Sequence, residues 1–414
     1  MLLLTVIVTF CAVWASPPNP SRSPRLYYVS VLLIAAGALG AFCSTDLFFF
    51  YAFHELALVP TFLMIGIWGS GDNKAAAWKV TIYLGLGSVI LLIGLAGLVL
   101  AIQPQGVMSF NIPDLLAEAK ANPAGADAQK WIFLFLLLGF GVLISLFPFH
   151  SWAPQAYASA PVPVAMLHAG VLKKFGLYGL LRVALPMMPD GFEAWKGLLI
   201  VLLLGNILFI GFATISQRFL DRMLGYSSVM HMGYVFLGIA AFNEIGWQGA
   251  VLLMFAHGVS IALLFLLCGK LRDSLGTLEF AKMGGLGAAA PAMMLAFGFA
   301  AFASVGLPGF ANFASELMVF FAAFKGFDAQ NGLGDLQWAA ILALWGVVIS
   351  AVYMLRAFRR IFQGEPCAEE EAAPVTGAAD LTGLLRVPVI ILIAALMVFG
   401  FFPKLLTALT HFSF

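Results

Sequence analysis

Ionisable side chains set inside otherwise apolar stretches are the residues of this chain with chemistry to offer. Glu55 lies in LFFFYAFHELALVPTFLMIGIWG, five residues before Pro60, and Lys173 and Lys174 lie in PVPVAMLHAGVLKKFGLYGLLR. Glu316 follows a break in GLPGFANFASELMVFFAAF, and histidines recur in FPFHSWAP (His150), MLHAG (His168), SVMHMGY (His231) and MFAHGVS (His257). A charge at the centre of a membrane helix costs about 2.5 to 3.5 kcal/mol on insertion scales, so each such residue needs a function or a partner. Their shared chemistry is proton binding. Imidazole titrates near neutrality, and burial and neighbouring charge set how readily a lysine or a glutamate gives up its proton. The plainer alternative is an interhelical hydrogen bond, the usual fate of a lone membrane histidine. Adjacent helical residues point about 100° apart, so one of Lys173 and Lys174 is expected to face the bundle interior.

The elements that hold these groups follow from composition. Of 414 residues, 62% are hydrophobic and 10% are charged, and mean hydropathy is +1.00; a soluble domain carries roughly 25% charged residues. The chain reads as an all-α, polytopic membrane protein embedded in the lipid bilayer. A net charge of +1 excludes nucleic-acid binding by basic excess. Cys11, Cys43, Cys268 and Cys367 have no spacing that would hold a metal or cluster, so no metal, cofactor or redox centre is expected in the chain.

At about 20 apolar residues per span, runs near 1–15, 27–45, 46–67, 78–102, 131–148, 161–183, 195–215, 223–242, 247–269, 288–325, 336–358 and 386–409 give about twelve transmembrane helices. The first run is read as a span and not a signal peptide, because no Lys or Arg precedes it and the V-x-A end is a poor cleavage site. Lys and Arg crowd the loops of one side, including Arg22, Arg25, Arg218, Arg222, Arg359 and Arg360, which makes that side cytoplasmic and places both termini outside. The stretch 103–130 is expected to form a short surface helix and loop, and EPCAEEEAAP in the 359–385 loop a solvated linker. Pro148 in FPFHSWAP and Pro308 in GLPGF interrupt one apolar run in each half. Paired interruptions of this kind point to inverted repeats around a midplane pathway. The expected organisation is 1–45 as N-terminal helices, 46–183 as a first half, 184–358 as a second half, and 359–414 as a cytoplasmic loop with a last helix.

The strings HELALVPTFLMIGIWG, FPFHSWAP, HAGVLKKFGLYGLLR, YSSVMHMGYVFLGIAAFNEIGWQGAVLLMFAHGVS and GLPGFANFASEL resemble the antiporter-like subunits of respiratory complex I. Within them the M type, chain 4 in mitochondrial naming, is the nearest in pattern, because a glutamate stands in the GxPGxxNFxxE element where the L type has lysine. The resemblance extends over about 1–410 and reaches the subunits of Mrp antiporters and membrane-bound hydrogenases. It implies two inverted five-helix repeats, each with a broken helix, and a hydrophilic midplane axis. It implies that protons pass along Glu55, Lys174, His257 and Glu316, with Lys173, His150, His168 and His231 as accessory groups. His257 would sit in a broken-repeat connection.

Partners implied are other membrane-arm subunits, including L-type and N-type chains, with FMN, iron–sulfur clusters and quinone in partner subunits and the whole in the inner (cytoplasmic) membrane. Departures from the pattern bear on function. Leu143 stands where the family has a lysine facing the glutamate at position 55, Asp221 stands in place of a loop lysine, and two N-terminal family helices precede the first one found here. The implied activity is proton translocation coupled to electron transfer from NADH to quinone in other subunits. An Mrp-type Na+/H+ or hydrogenase-linked antiporter subunit is the alternative, and Leu143 supports a third reading, a non-pumping spacer of the membrane arm.

Overall fold

The protein is described by a computed structural model covering residues 1–103, 108–328, 330, 332–364 and 380–410. The EPCAEEEAAP stretch, with Cys367, lies outside the described residues. Regular structure among them is helical, and the β-type pairings are two isolated bridges, Asp46 with Asn111 and Phe219 with Glu279. The main helices are α1 (Leu2–Trp14), α2 (Pro24–Cys43), α3 (Leu47–Trp68), α4 (Asn73–Ile102), α5 (Ile112–Ala121), α6 (Ala126–Ile144) and α7 (Trp152–Ser159). They continue with α8 (Val162–Met187), α9 (Pro189–Ile215), α10 (Leu220–Ala240) and α11 (Glu244–Leu275). The last are α12 (Pro291–Val305), α13 (Ala311–Phe324), α14 (Asp335–Phe362) and α15 (Arg386–Phe401).

Ten helices are long and apolar enough to cross a membrane, and α1, α12 and α13 are shorter apolar helices. The pairs α6–α7 and α12–α13 each make one interrupted crossing, so the described residues cross about twelve times, as composition predicts. The expected surface helix in 103–130 is α5, capped by Asn111, whose side chain accepts from the Asp114 N–H. Helix ends follow the same local rules elsewhere. Asp46 accepts from the N–H groups of Phe48 and Phe49 to start α3, Asn243 accepts from Gly246 to start α11, and Gly276 at φ 68° ends α11.

The interruptions sit where the prolines predict and run in opposite directions through the bundle. The first falls at 145–151, between α6 and α7, on a crossing entered from the α5 side; the second falls at 306–310, on a crossing that returns to that side. Breaking a helix in an apolar medium frees backbone groups that must be paired internally. Asn206, fully buried on α9, does this for the first break. Its Oδ1 accepts from the Phe147 N–H at 2.6 Å, and its Nδ2 donates to the carbonyls of Ser145 at 3.4 Å and Val229 at 2.8 Å. Trp152 Nε1 donates to the Val142 carbonyl at 3.1 Å, closing the end of α6.

Helices α8, α10 and α11 form the centre. Some 94% of the apolar window of each is buried, against 39% for α3 and 22% for the last span. On the Arg-bearing face, Arg272 at the end of α11 pairs with Asp221 at 2.7 Å and donates to Ser70 Oγ and the Ala158 carbonyl, both at 3.0 Å. Asp221 thus has a cationic partner.

Replacing Asn206 with leucine orphans the Phe147 N–H and the Ser145 carbonyl, at about 1 to 3 kcal/mol for each buried group left unpaired. The thermal midpoint of the detergent-purified protein is expected to fall by several degrees. An unchanged midpoint would show that water takes over both bonds.

Candidate functional site

The polar centre is assembled by a close helix crossing and by an irregular turn. At the crossing of α8 and α11, Gly170 and Gly258 face each other so closely that a Cβ on Gly258 would lie 2.6 Å from the Gly170 carbonyl oxygen. Small residues let membrane helices approach backbone to backbone. The turn is the π-helical stretch His168–Leu172, in which the Lys173 N–H bonds the His168 carbonyl five residues back. Such insertions recur at functional sites. Here the turn frees the Ala169 carbonyl from the α-helical bond with Lys173, and Lys174 Nζ donates to it.

Lys174 Nζ also donates to His257 Nδ1 at 2.9 Å, across the glycine crossing. The His257 ring lies 5.7 Å from the His231 ring, centroid to centroid, and His231 Nδ1 is 3.9 Å from Glu316 Oε1. Lys174, His257, His231 and Glu316 are each at most 6% exposed. They come from α8, α11, α10 and α13. Glu316 has room because of the second break: Gly306 sits at φ +83°, and a Cβ there would lie 2.5 Å from Glu316 Oε2.

Some expectations are corrected by this geometry. Both lysines are buried, because α8 is surrounded on all sides; Lys173 points the other way, donating to the Ser228 carbonyl at 3.2 Å and lying 5.8 Å from the Tyr157 ring centroid. His257 is in the middle of the continuous α11 and not in a connection. His150 lies in the first break, its ring stacked on Phe147, and His168 Nδ1 lies 3.4 Å from the Tyr157 hydroxyl. His231, ranked as accessory from sequence, is the link between His257 and Glu316.

Glu55 stands apart from this line. It is on α3, its side chain is 35% exposed, and its near neighbour is His54, with Nδ1 3.4 Å from Oε1. His54 was not singled out in the sequence, although its adjacency to Glu55 was there to be read. Its ring is stacked on Phe175 at 4.0 Å, next in sequence to Lys174. Leu143 is buried at the end of α6 against Gly87 of α4. Ser227, Ser304 and Tyr353 were also missed. Tyr353, on α14, places its hydroxyl 3.2 Å from His231 Nε2 and 2.8 Å from Ser227 Oγ, and Ser304 Oγ is 3.5 Å from the same nitrogen. No signal in the sequence marks a hydroxyl as facing a histidine on another helix. Among the described residues, no group of three or more His, Cys, Asp or Glu could hold a metal ion.

The fold and this site define a class: a multi-pass α-helical membrane protein with two helix breaks and a buried line of ionisable groups that ends beside the second of them. Residues 44–330 match the family described as NADH:quinone oxidoreductase/Mrp antiporter, TM, and the chain belongs to that family. It is 37% identical over 413 residues to NAD(P)H-quinone oxidoreductase chain 4 2 of Synechococcus sp. (strain JA-3-3Ab), covering 99% of this chain and 74% of that one. It is 34% identical to the chain of the same name from Microcystis aeruginosa, covering 88% of this chain and 64% of that one. The chain thus spans just under two thirds of some of these relatives. Among solved structures, a chain of respiratory complex I from Thermus thermophilus superposes with a TM-score of 0.84 at 29% identity, over 98% of this chain and 80% of that one. A chain of the Mrp complex from Dietzia sp. DQ12-45-1b shares the fold, with a TM-score of 0.81 at 23% identity over 98% of this chain and 80% of that one.

Gly306→Ala forces a side chain into a left-handed conformation, at about 1 to 2 kcal/mol, and into the Glu316 carboxyl. A lower thermal midpoint than that of Gly306→Ala with Glu316→Ala combined is expected, since the double variant relieves the clash. Equal midpoints would mean that the carboxyl moves aside freely.

Proposed function

We propose that this chain is a chain-4-type membrane-arm subunit of a quinone oxidoreductase and moves protons along Lys174, His257, His231 and Glu316, driven by electron transfer in partner subunits. The observation that carries the reading is the line itself: four titratable groups from four helices, buried together, with Lys174 already hydrogen-bonded to His257. A structural role would need one partner per group, whereas here each group faces the next. Two unit charges about 4 Å apart interact by on the order of 4 kcal/mol at an effective dielectric constant near 20. A proton arriving at one site therefore alters the occupancy of its neighbour, and such groups titrate together.

In this reading a proton on the Lys174 ammonium passes to His257 Nδ1: the N–H bond to Nζ breaks, one to Nδ1 forms, and the positive charge moves to the imidazolium. His231 takes it on toward Glu316, beside the second break. Glu55 with His54 forms a separate proton-binding pair on the α3 face. Lys173, His150 and His168 serve as accessory groups. FMN, iron–sulfur clusters and quinone belong to partner subunits in this assignment, alongside L-type and N-type chains, in the inner (cytoplasmic) membrane.

The family description spans complex I and Mrp proteins, so an Mrp-type antiporter subunit is the second reading, and the buried apolar Leu143 favours a non-pumping spacer as a third. The test is NADH-driven acidification of inverted membrane vesicles at matched complex abundance. Glu316→Gln is expected to lower the pumping rate at least tenfold, and Lys174→Ala to lower it severalfold. Undiminished pumping in both would favour the spacer, and pumping that requires sodium would favour the antiporter.

A further inference from the structure

The hydroxyls beside His231 form a branch that the Lys174–His257 line does not use. Ser227 Oγ and the Tyr353 hydroxyl are 2.8 Å apart, Tyr353 is 3.2 Å from His231 Nε2, and His231 Nδ1 is 3.9 Å from Glu316 Oε1. All four side chains are buried. His231 Nδ1 and Glu316 Oε1 face each other, and each is a buried polar atom with no hydrogen-bond partner. Buried polar atoms are seldom left so, and closing that gap by about 1 Å would bring it into hydrogen-bond range.

Donor and acceptor chemistry allows this row two orientations. With Glu316 ionised, its oxygen accepts from His231 Nδ1–H, Nε2 then accepts from Tyr353 O–H, and Tyr353 accepts from Ser227 O–H. With Glu316 protonated, every bond reverses: Glu316 donates to Nδ1, Nε2–H to Tyr353, and Tyr353 to Ser227. Inversion of a row of hydrogen bonds is what passing one proton along it accomplishes. Ser227 lies seven residues from the start of α10 at Leu220, and Tyr353 nine residues before the end of α14 at Phe362. Both helix ends reach the face that carries Arg218, Arg222, Arg359 and Arg360.

We infer that Ser227, Tyr353 and His231 form an oriented relay that supplies Glu316 with protons from the Arg-bearing face, independently of Lys174. The step is balanced. His231 Nδ1 gives its proton to the Glu316 carboxylate, Nε2 takes the proton of Tyr353, Tyr353 takes that of Ser227, and a water proton from the Arg-bearing side restores Ser227. One proton is taken up from the Arg-bearing side: Glu316 passes from carboxylate to neutral acid, and His231, Tyr353 and Ser227 end neutral and unchanged in composition. In the proton-moving reading on which this inference rests, Glu316 joins two inputs, one along the lysine line and one through the hydroxyls.

The test uses the assembled complex in inverted vesicles, with protons pumped per NADH and the rate of quinone reduction measured from pH 6 to 8. Tyr353→Phe keeps the ring and removes the hydroxyl; it is expected to lower protons pumped per NADH, with the deficit growing as pH rises and free protons become scarce. Ser227→Ala is expected to do the same and Ser227→Thr, which keeps a hydroxyl, to pump as the native chain does. A loss of assembly in Tyr353→Phe leaves the decision to the two Ser227 variants. Native stoichiometry across the pH range in Tyr353→Phe or Ser227→Ala, while Lys174→Ala lowers pumping, overturns the relay and leaves the proton-moving reading standing. Native pumping in Lys174→Ala and Glu316→Gln as well would remove both.

Discussion

The close crossing of Gly170 and Gly258 is the contact on which the polar centre depends. Any larger residue at either position would push α8 away from α11, and Lys174 Nζ would lose its 2.9 Å bond to His257. An ammonium in that position has few other partners, because the walls around it are apolar and buried. The cost of burying a charge is met by geometry here: a neighbouring imidazole and a carbonyl released by a π-helical turn. Membrane proteins hold ionisable groups in this way because leaving them unpaired in hydrocarbon is so expensive.

The two broken crossings extend the same logic. Each break makes the backbone irregular at membrane depth, and at each a specific side chain occupies the place so made. At the first, Asn206 bonds Ser145 and Phe147 in the 145–151 turn and also Val229 of α10, so the break is tied to the helix that carries His231. At the second, Gly306 opens the space that Glu316 fills. Breaks and titratable groups are therefore parts of one arrangement, in which irregular backbone makes room and the paired side chains use it.

The α3 face differs in kind. Glu55 is partly exposed beside the exposed apolar side chains Leu56 and Val59, and its near neighbour is a histidine adjacent in the chain. On α6, Leu143 packs against Gly87. Leu143 is part of the apolar packing between α4 and α6, and the basic neighbour of Glu55 comes from α3 itself.

How much of this was legible beforehand divides by physical cause. Composition and apolar run length determined the helical class, the number of crossings and the positions of both breaks, because span length and proline geometry are local properties. The motif around Glu316, with its glycine and proline, was legible for the same reason. The sequence also marked Lys174, His257 and Glu316 as residues too costly to bury without a role. What the tertiary structure decided was which of them meet. Only the packing shows that both lysines are interior, because a helix enclosed on all sides has no lipid face to offer. Only the packing makes His231 the link to Glu316 and sets Tyr353 and Ser227 beside it. These contacts join α8, α10, α11, α13 and α14, and the approach of helices distant in sequence depends on side-chain fit that no local pattern records.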